Sequence, residues 1–110
     1  MNMAEPSLGE FEQLVLLAVV RLGDSAYGVT IAGEIGTRAG REVSLGAVYK
    51  TLERMEDKGL VAGRIGEPTA ERGGRRKKHY RVLAAGRRAL RQSVTALRRM
   101  TAGLESGLRL

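Results

Sequence analysis

A dense run of cations, "RGGRRKK", is the part of this 110-residue sequence with the clearest chemistry. Guanidinium and ammonium groups bind phosphate oxygens through charge and hydrogen bonds. No acid interrupts the run, which favours contact with phosphate over the alternative of a plain solvated loop. Its basic residues are Arg72, Arg75, Arg76, Lys77 and Lys78.

The positive charge is concentrated in the second half of the chain. The formal net charge is +7 and the pI is about 10.6. Residues 72–104 contain eleven cations and no acid, whereas the first 71 residues contain seven cations and eleven of the twelve acids. A small domain with a local basic surface is typical of proteins that bind nucleic acid.

The sequence lacks the residues that most catalytic and metal sites require. It has no cysteine and one histidine, His79, so disulfides, thiolate ligands and a histidine-rich metal site are excluded. It also contains no G-x-x-x-x-G-K-S/T loop, no G-x-S-x-G elbow and no H-E-x-x-H motif. We therefore expect neither an enzyme nor a bound cofactor.

The hydrophobic segments are too short to cross a membrane. The longest apolar run, Leu14 to Val20, has seven residues, far fewer than the roughly 20 of a membrane-spanning helix. The absence of cysteine fits a reducing compartment. We expect a soluble, cytoplasmic protein.

The stretch "VSLGAVYKTLERMEDKGLV", residues 43–61, predicts a helix with both ends marked. Ser44 is placed to cap its N-terminus, and Gly59 is placed in the left-handed position past its end. Leu60 then falls where an apolar residue contacts Met55. The predicted buried stripe consists of Leu45, Val48, Leu52 and Met55.

The opposite face of this helix is small and cationic in its N-terminal half. A rotation of about 100° per residue turns Lys50 outward, with Ala47 and Arg54 beside it and Tyr49 at the edge. We predict that Lys50 and Arg54 contact nucleic acid rather than serving as solvated cations. Tyr49 is either a partly buried core residue or a contact to a phosphate or base.

The rest of the chain predicts three more helices and two strands. A capping box formed by Ser7 and Glu10 starts the first helix near Leu8, and Gly23 ends it. The other predicted elements are a helix over 26–39, strands over 61–65 and 79–83, and a last helix from about 85 to about 104.

The last helix carries apolar residues at alternating spacings of three and four, which is a heptad seam. Such a seam is either a core stripe or a dimer interface. A chain this short has no other surface to cover it, which favours a homodimer. The arginines elsewhere on this helix are interpreted as its solvated side. The predicted dimer residues are Leu90, Val94, Leu97, Thr101 and Leu104.

Three helices, a two-stranded ribbon and a further helix form the element order of a winged helix-turn-helix. In that fold a capped helix enters the major groove of DNA, and a basic loop between strands reaches the flanking backbone. We expect a mainly α fold with a small β-hairpin. Residues 1–83 would form the DNA-binding part with the wing at 66–78, and residues 84–110 the C-terminal dimerisation helix of the same compact domain.

Four segments within residues 8–90 carry a family resemblance: "FEQLVLLAV", "AYGVTIAGEI", "VSLGAVYKTLERMEDKGLV" and "GGRRKKHYRVLAAGRRAL". In order and spacing they resemble the signature of the PadR family of bacterial transcriptional regulators. The resemblance implies a dimeric, usually repressing regulator that binds a pseudo-palindromic operator in double-stranded DNA and dimerises through its C-terminal helix.

The resemblance also assigns roles to individual residues. By matched position it implies that Tyr27, Ser44, Tyr49 and the wing cations face DNA. For Tyr27 the alternative is packing of the second helix against the wing, and both interpretations stay open. A small-molecule effector near the dimer interface is also implied. Its identity is unknown, and a chain with no tryptophan and one phenylalanine gives poor support to an aromatic-stacking pocket.

Two residues depart from the family pattern. Lys50 stands where proline is common, which adds a cation to the groove face. Leu83 stands where a threonine usually caps the last helix, and the loss of such a cap costs about 1 kcal/mol.

Two functions of other classes fit the same composition. A non-specific coat or architectural protein would bind DNA by charge alone and discriminate little between sites. An adaptor would use the winged helix for an acidic protein and the heptad seam for a foreign helix, without competition by DNA.

Overall fold

A computed structural model describes residues 7–66 and 77–110 of the chain. The described residues form a mainly helical fold with one β-hairpin, which confirms the expected fold class. The elements are α1 (Glu10–Leu22), a 3-10 turn (Gly23–Ser25), α2 (Gly28–Ala39), α3 (Leu45–Asp57), β1 (Val61–Ile65), β2 (Lys78–Val82), α4 (Ala84–Thr101) and α5 (Glu105–Leu108).

Helix α1 begins two residues later than the predicted start near Leu8. Gly9 is the residue before its first turn, and its backbone N–H donates to Oε1 of Glu12 at 2.8 Å. The predicted box of Ser7 and Glu10 is therefore wrong, because Glu12 is the acid that reaches back to the helix start.

Helix α2 begins after the extended residue Tyr27, whose backbone N–H donates to Oγ1 of Thr30 at 3.0 Å. Its end agrees with the prediction, since Gly40 has a left-handed φ of 65°. Ile31 and Ile35 lie on the inner face of this helix and are buried in the core.

Helix α3 has the predicted caps at both ends. Oγ of Ser44 accepts from the N–H of Ala47 at 3.1 Å. Gly59 has φ 74°, and the N–H of Leu60 donates to the carbonyl of Met55 at 2.9 Å. This pattern closes the last turn and directs the chain into β1.

The buried stripe of α3 differs from the prediction at its first residue. Val48, Leu52 and Met55 are fully buried, but Leu45 is 42% exposed, and Thr51 is buried instead. Positions 48, 51, 52 and 55 follow the i, i+3, i+4, i+7 pattern, so the core meets α3 from its second turn onward.

The hairpin pairs β1 and β2 antiparallel, with Val61 opposite Val82 and Gly63 opposite Tyr80. A third segment joins the ribbon, because the N–H of Tyr80 donates to the carbonyl of Ala26 at 2.9 Å. This hydrogen bond joins the segment just before α2 to strand β2. Strand β2 begins and ends one residue earlier than predicted.

Helix α4 starts at Ala84 without a side-chain cap from Leu83, as the departure from threonine predicts. Its beginning lies against Leu60, in the turn between α3 and β1. A Cβ at Gly86 would be 2.2 Å from the carbonyl oxygen of Leu60, so this position requires glycine. The helix ends at Thr101, before the predicted Leu104, and Gly103 with φ 85° separates it from α5.

The core lies between α1, α2, α3 and the hairpin, and the first turns of α4 close one side of it. Val15, Leu16 and Val19 of α1 are at its centre, whereas Leu17 and Val20 on the same helix are exposed. No helix in the two described ranges is long and apolar enough to cross a membrane.

Candidate nucleic-acid interface

The outer face of α3 presents cations to solvent. Ala47, Lys50 and Arg54 are all exposed. Lys50 has no ion pair within residues 7–66 and 77–110, and Arg54 makes only a long hydrogen bond of 3.4 Å to Oγ1 of Thr51 on its own helix. Both charges are therefore available to a ligand.

Ser44 has a structural role as well as the predicted contact. Its oxygen accepts from Ala47 as the N-cap of α3. The residue is exposed and its hydroxyl hydrogen is not consumed by that bond, because a hydroxyl both donates and accepts. The cap therefore leaves one donor at the N-terminus of the helix.

Tyr49 lies against the N-terminus of α2. Its side chain is 45% exposed, yet a Cβ at position 28 would be 2.4 Å from its Cζ and Oη atoms. Gly28 therefore provides the space that the ring occupies. Because Tyr49 lies on α3 next to Lys50, this contact holds the N-terminal half of α3 against α2.

Tyr27 contacts the base of the wing. Nζ of Lys77 lies 3.3 Å from Oη of Tyr27 and 4.5 Å from the centroid of its ring, which is a cation–π distance. The His79 ring meets Tyr27 edge-on with centroids 5.3 Å apart, and the two residues form a β-bridge. Tyr27 therefore packs against the base of the wing and partly engages Lys77, and its contact with phosphate stays a prediction.

Lys78 is engaged by an acid of α3. Its Nζ lies 2.9 Å from Oε1 of Glu56, and 5.5 Å from the centroid of the Tyr80 ring. The hydrogen bond from Lys78 holds the pKa of Glu56 below its ordinary value and raises the pKa of Lys78. Lys78 is thus held by an ion pair that the sequence did not predict, and its contact with phosphate stays a prediction.

The predicted wing contacts Arg72, Arg75 and Arg76 lie outside the described residues. The described base of the wing is Gly66 and Lys77, where the Gly66 N–H donates to the Lys77 carbonyl at 2.8 Å and continues the ladder. The hairpin is therefore hydrogen-bonded as far as Gly66 and Lys77, the last described residues on its two sides.

The predicted seam of α4 changes its environment along the helix. Leu90 is buried in the core of its own chain, and Val94 packs against that core. Thr101 is half-buried, whereas Leu97 and Leu104 are 56% and 51% exposed. Only the C-terminal part of the seam is therefore free to contact another chain.

Four contributors to this surface were not predicted as site residues. Gly28 and Glu56 act by contact with Tyr49 and Lys78, and such contacts depend on how α2, the hairpin and α3 pack together. His79 contributes through its edge-on contact with the ring of Tyr27. Met100, 75% exposed, extends the apolar surface of α4, and its helical spacing from Leu97 and Leu104 was the available signal.

No cluster of three or more potential metal ligands occurs in the described part of the chain. The arrangement can supply fixed positive charges, a hydroxyl and aromatic rings. These groups bind anions and stack on planar groups.

Comparison with known proteins adds the family. The model of the "Transcriptional regulator PadR-like family" matches residues 16–92. No curated protein matches the chain.

Several solved structures share the fold. A PadR family transcription regulator from Clostridium difficile is 24% identical with a TM-score of 0.71, and the alignment covers 91% of this chain and 99% of that one. A PadR-like regulator from Bacillus cereus is 20% identical with a TM-score of 0.70, covering 91% and 92%. Bacillus subtilis PadR in complex with operator DNA is 16% identical with a TM-score of 0.62, covering 77% and 46%.

The family match runs from the second half of α1 through the first half of α4, which includes α3 and the hairpin described above. The suspected family is confirmed, and with it the expectation of a regulator rather than an enzyme. This chain belongs to the PadR-like family of transcriptional regulators.

Proposed function

We propose that this regulator is a homodimeric, sequence-specific repressor that binds a pseudo-palindromic operator in double-stranded DNA. The observation that carries the proposal is the outer face of α3, where Lys50 and Arg54 are exposed and lack a carboxylate partner among the described residues. The complex of Bacillus subtilis PadR with operator DNA, which has the same fold, supports this choice of ligand.

Helix α3 is the proposed reader of the major groove. Gly46 and Ala47 leave its N-terminal half small, so the helix can approach the base edges closely. Lys50 can donate to O6 and N7 of guanine or to a phosphate, and Arg54 can do either in two-pronged form. The acidic Asp57 at the other end is proposed to stay outside the groove.

The wing is proposed to hold the flanking backbone. Arg72, Arg75 and Arg76 would supply phosphate contacts that fix orientation and carry no base information. Lys77 contributes from the base of the wing, where Tyr27 limits its directions. Ser44 and Tyr49 are proposed to contact phosphate at the N-terminal end of α3.

The homodimer is proposed to form through the C-terminal part of the chain. Leu97, Met100 and Leu104 are more than half exposed there. Covering them with a second copy would bury apolar surface, and each fully buried leucine or methionine contributes about 1.5–3 kcal/mol. In this homodimer, two α3 helices related by a two-fold axis would contact half-sites about 34 Å apart, which is one turn of DNA.

Repression would follow from occupation of the operator, in the cytoplasm where a bacterial regulator meets the chromosome. A small-molecule effector of unknown identity would act by favouring a dimer whose two α3 helices have the wrong separation for the two half-sites.

The experiment is selection of random duplex DNA on the purified protein at near-physiological salt, followed by sequencing of the retained fraction. An enriched two-fold motif is the expected result. Retention without enrichment would indicate a non-specific coat protein. If no duplex DNA is retained and DNA binding does not change with salt concentration, DNA binding is refuted and the adaptor function is favoured.

A further inference from the structure

Glu56, in the last turn of α3, contacts both strands of the hairpin. Its Oε1 is 2.9 Å from Nζ of Lys78 on β2, and its Oε2 accepts from the N–H of Gly63 on β1 at 3.3 Å. One carboxylate therefore joins the helix to both strands. We call Glu56, Gly63 and Lys78 the wing clamp.

The hairpin register explains why the Gly63 amide is available to Glu56. In an antiparallel pair the residues that exchange hydrogen bonds alternate with those that do not. Gly66 donates to Lys77 across the ladder, so Gly63, three residues earlier and opposite Tyr80, belongs to the other set. Its N–H points away from β2, and Glu56 satisfies it.

Glycine at position 63 also lets Lys78 reach the carboxylate. A Cβ there would lie 2.4 Å from Cε of Lys78 and 3.3 Å from Oε2 of Glu56. The lysine stem crosses the space that a side chain would fill. A side chain at position 63 would therefore displace the end of the Lys78 side chain from this path.

We propose that the wing clamp sets the position of the wing relative to α3 and withholds Lys78 from DNA phosphate. This inference rests on the proposed DNA binding. Glu56 acts as a positioning residue, since it is directed at Lys78 and Gly63 rather than at DNA.

The consequence concerns specificity. A lysine free to contact phosphate strengthens binding to every sequence alike, whereas a fixed wing contacts the backbone only when α3 has the correct register. The clamp therefore lowers non-specific binding relative to operator binding. Of Lys77 and Lys78, the described cations of the run, Lys78 is thereby held at the hairpin by an acid of α3.

The test measures the salt dependence of binding to random duplex DNA for the wild type, Glu56→Gln, Lys78→Gln and the double variant. Each phosphate neutralised changes the slope of log K against log salt by about 0.9. Glu56→Gln keeps the size of the side chain and releases Lys78. We expect a slope steeper by about 0.9 per protomer and, at 0.1 M salt, binding up to about eightfold tighter.

The lysine variants separate this inference from a plain phosphate contact. Lys78→Gln alone should leave the slope at the wild-type value, because the lysine is already neutralised by Glu56. The double variant should also show the wild-type slope. A Lys78→Gln slope shallower by about 0.9 would overturn the inference, and this substitution of a half-buried side chain decides the matter even if Glu56→Gln folds poorly.

Asp57→Asn is the matched control, since it removes one negative charge from the adjacent, exposed residue of α3. It should leave the slope unchanged. An equal steepening in Asp57→Asn and Glu56→Gln would show an effect of net charge and overturn the inference. A wild type with no salt-dependent DNA binding would instead refute the proposed function.

A measurement without DNA completes the separation. Hydrogen exchange at the Gly63 amide should be faster in Glu56→Ala than in Asp57→Ala, because only Glu56 accepts from that amide. Equal exchange in both variants would overturn the clamp itself.

Discussion

Helices α3 and α4 use their apolar residues in different ways. Val48, Leu52 and Met55 of α3 are fully buried in the chain's own core, so this helix is complete within one subunit. Helix α4 buries Ala89 and Leu90 near its start, but its later residues are increasingly exposed. The difference indicates that α3 presents its outer face as a fixed surface, whereas the second half of α4 leaves an apolar surface that the proposed dimer would cover.

Charge substitution in α4 should produce the largest effect. Leu97→Glu with Leu104→Glu would place two carboxylates in the proposed apolar contact, and we expect the dimer to weaken by about 4 kcal/mol or more, roughly a thousandfold. Light scattering over a range of concentrations would measure this. Gln92→Glu with Ala102→Glu is a matched control on exposed positions of the same region. A double leucine variant that stays dimeric would place the interface elsewhere.

Truncation of a core side chain in α3 should have an effect on stability that does not depend on protein concentration. Leu52→Ala removes a fully buried side chain and should lower the free energy of unfolding by about 3 kcal/mol. Urea unfolding at two protein concentrations tests the contrast with Leu97→Ala, whose effect should depend on concentration because it acts on association. If both variants respond alike to concentration, α3 and α4 do not differ as proposed.

The elements of this fold were largely predictable because their ends are marked locally. Ser44, Gly40 and Gly59 define helix ends through backbone conformation and a cap, and all three occupy the predicted positions. The start of α1 was missed because two acids, Glu10 and Glu12, could each accept from the backbone at the helix start. Which acid does so depends on where the helix begins, and in this chain it is Glu12.

The site was less predictable, because the availability of a charge depends on distant parts of the chain. Lys50 and Lys78 are alike in the sequence, yet among the described residues only Lys78 pairs with a carboxylate, from a residue 22 positions earlier in α3. The same limit applies to burial. Leu45 was predicted to be buried but is exposed, and Leu90 was predicted to lie in a dimer interface but is buried in the core of its own chain. Periodicity predicts which side chains share a face, but not where the core begins and ends along that face.

The exposed face of α3 should respond through DNA binding rather than through folding. Lys50→Ala should cost about 1–3 kcal/mol on the preferred operator and alter the preference at the base pairs it reads, with little change in unfolding. Fluorescence anisotropy on the selected operator and its single-base variants measures this. Glu53→Ala, exposed on the same helix, is the comparison for a loss of side chain without loss of a cation. Equal weakening on every sequence would reduce Lys50 to a phosphate contact.

The smallest expected effect is a pH dependence of the free energy of unfolding. It arises at the wing clamp, where α3 contacts the hairpin. The pKa of Glu56 is lowered from 4.5 by Lys78, so its contribution is present at neutral pH and is lost as the pH falls through that lowered pKa. The pKa of Lys78 is raised from 10.5 by Glu56, so its contribution is present at neutral pH and lost as the pH rises through the raised value.

Both side chains of this pair are about one-third exposed, which limits the effect to under about 1 kcal/mol. The pKa of Glu10 is also lowered, by Arg41, so wild-type acid unfolding mixes two sources. The difference in unfolding free energy between wild type and Glu56→Gln isolates the clamp. It should be largest between pH 6 and 9, roughly, and shrink toward both extremes. A difference that stays constant with pH would mean that the contact between α3 and the hairpin does not depend on charge.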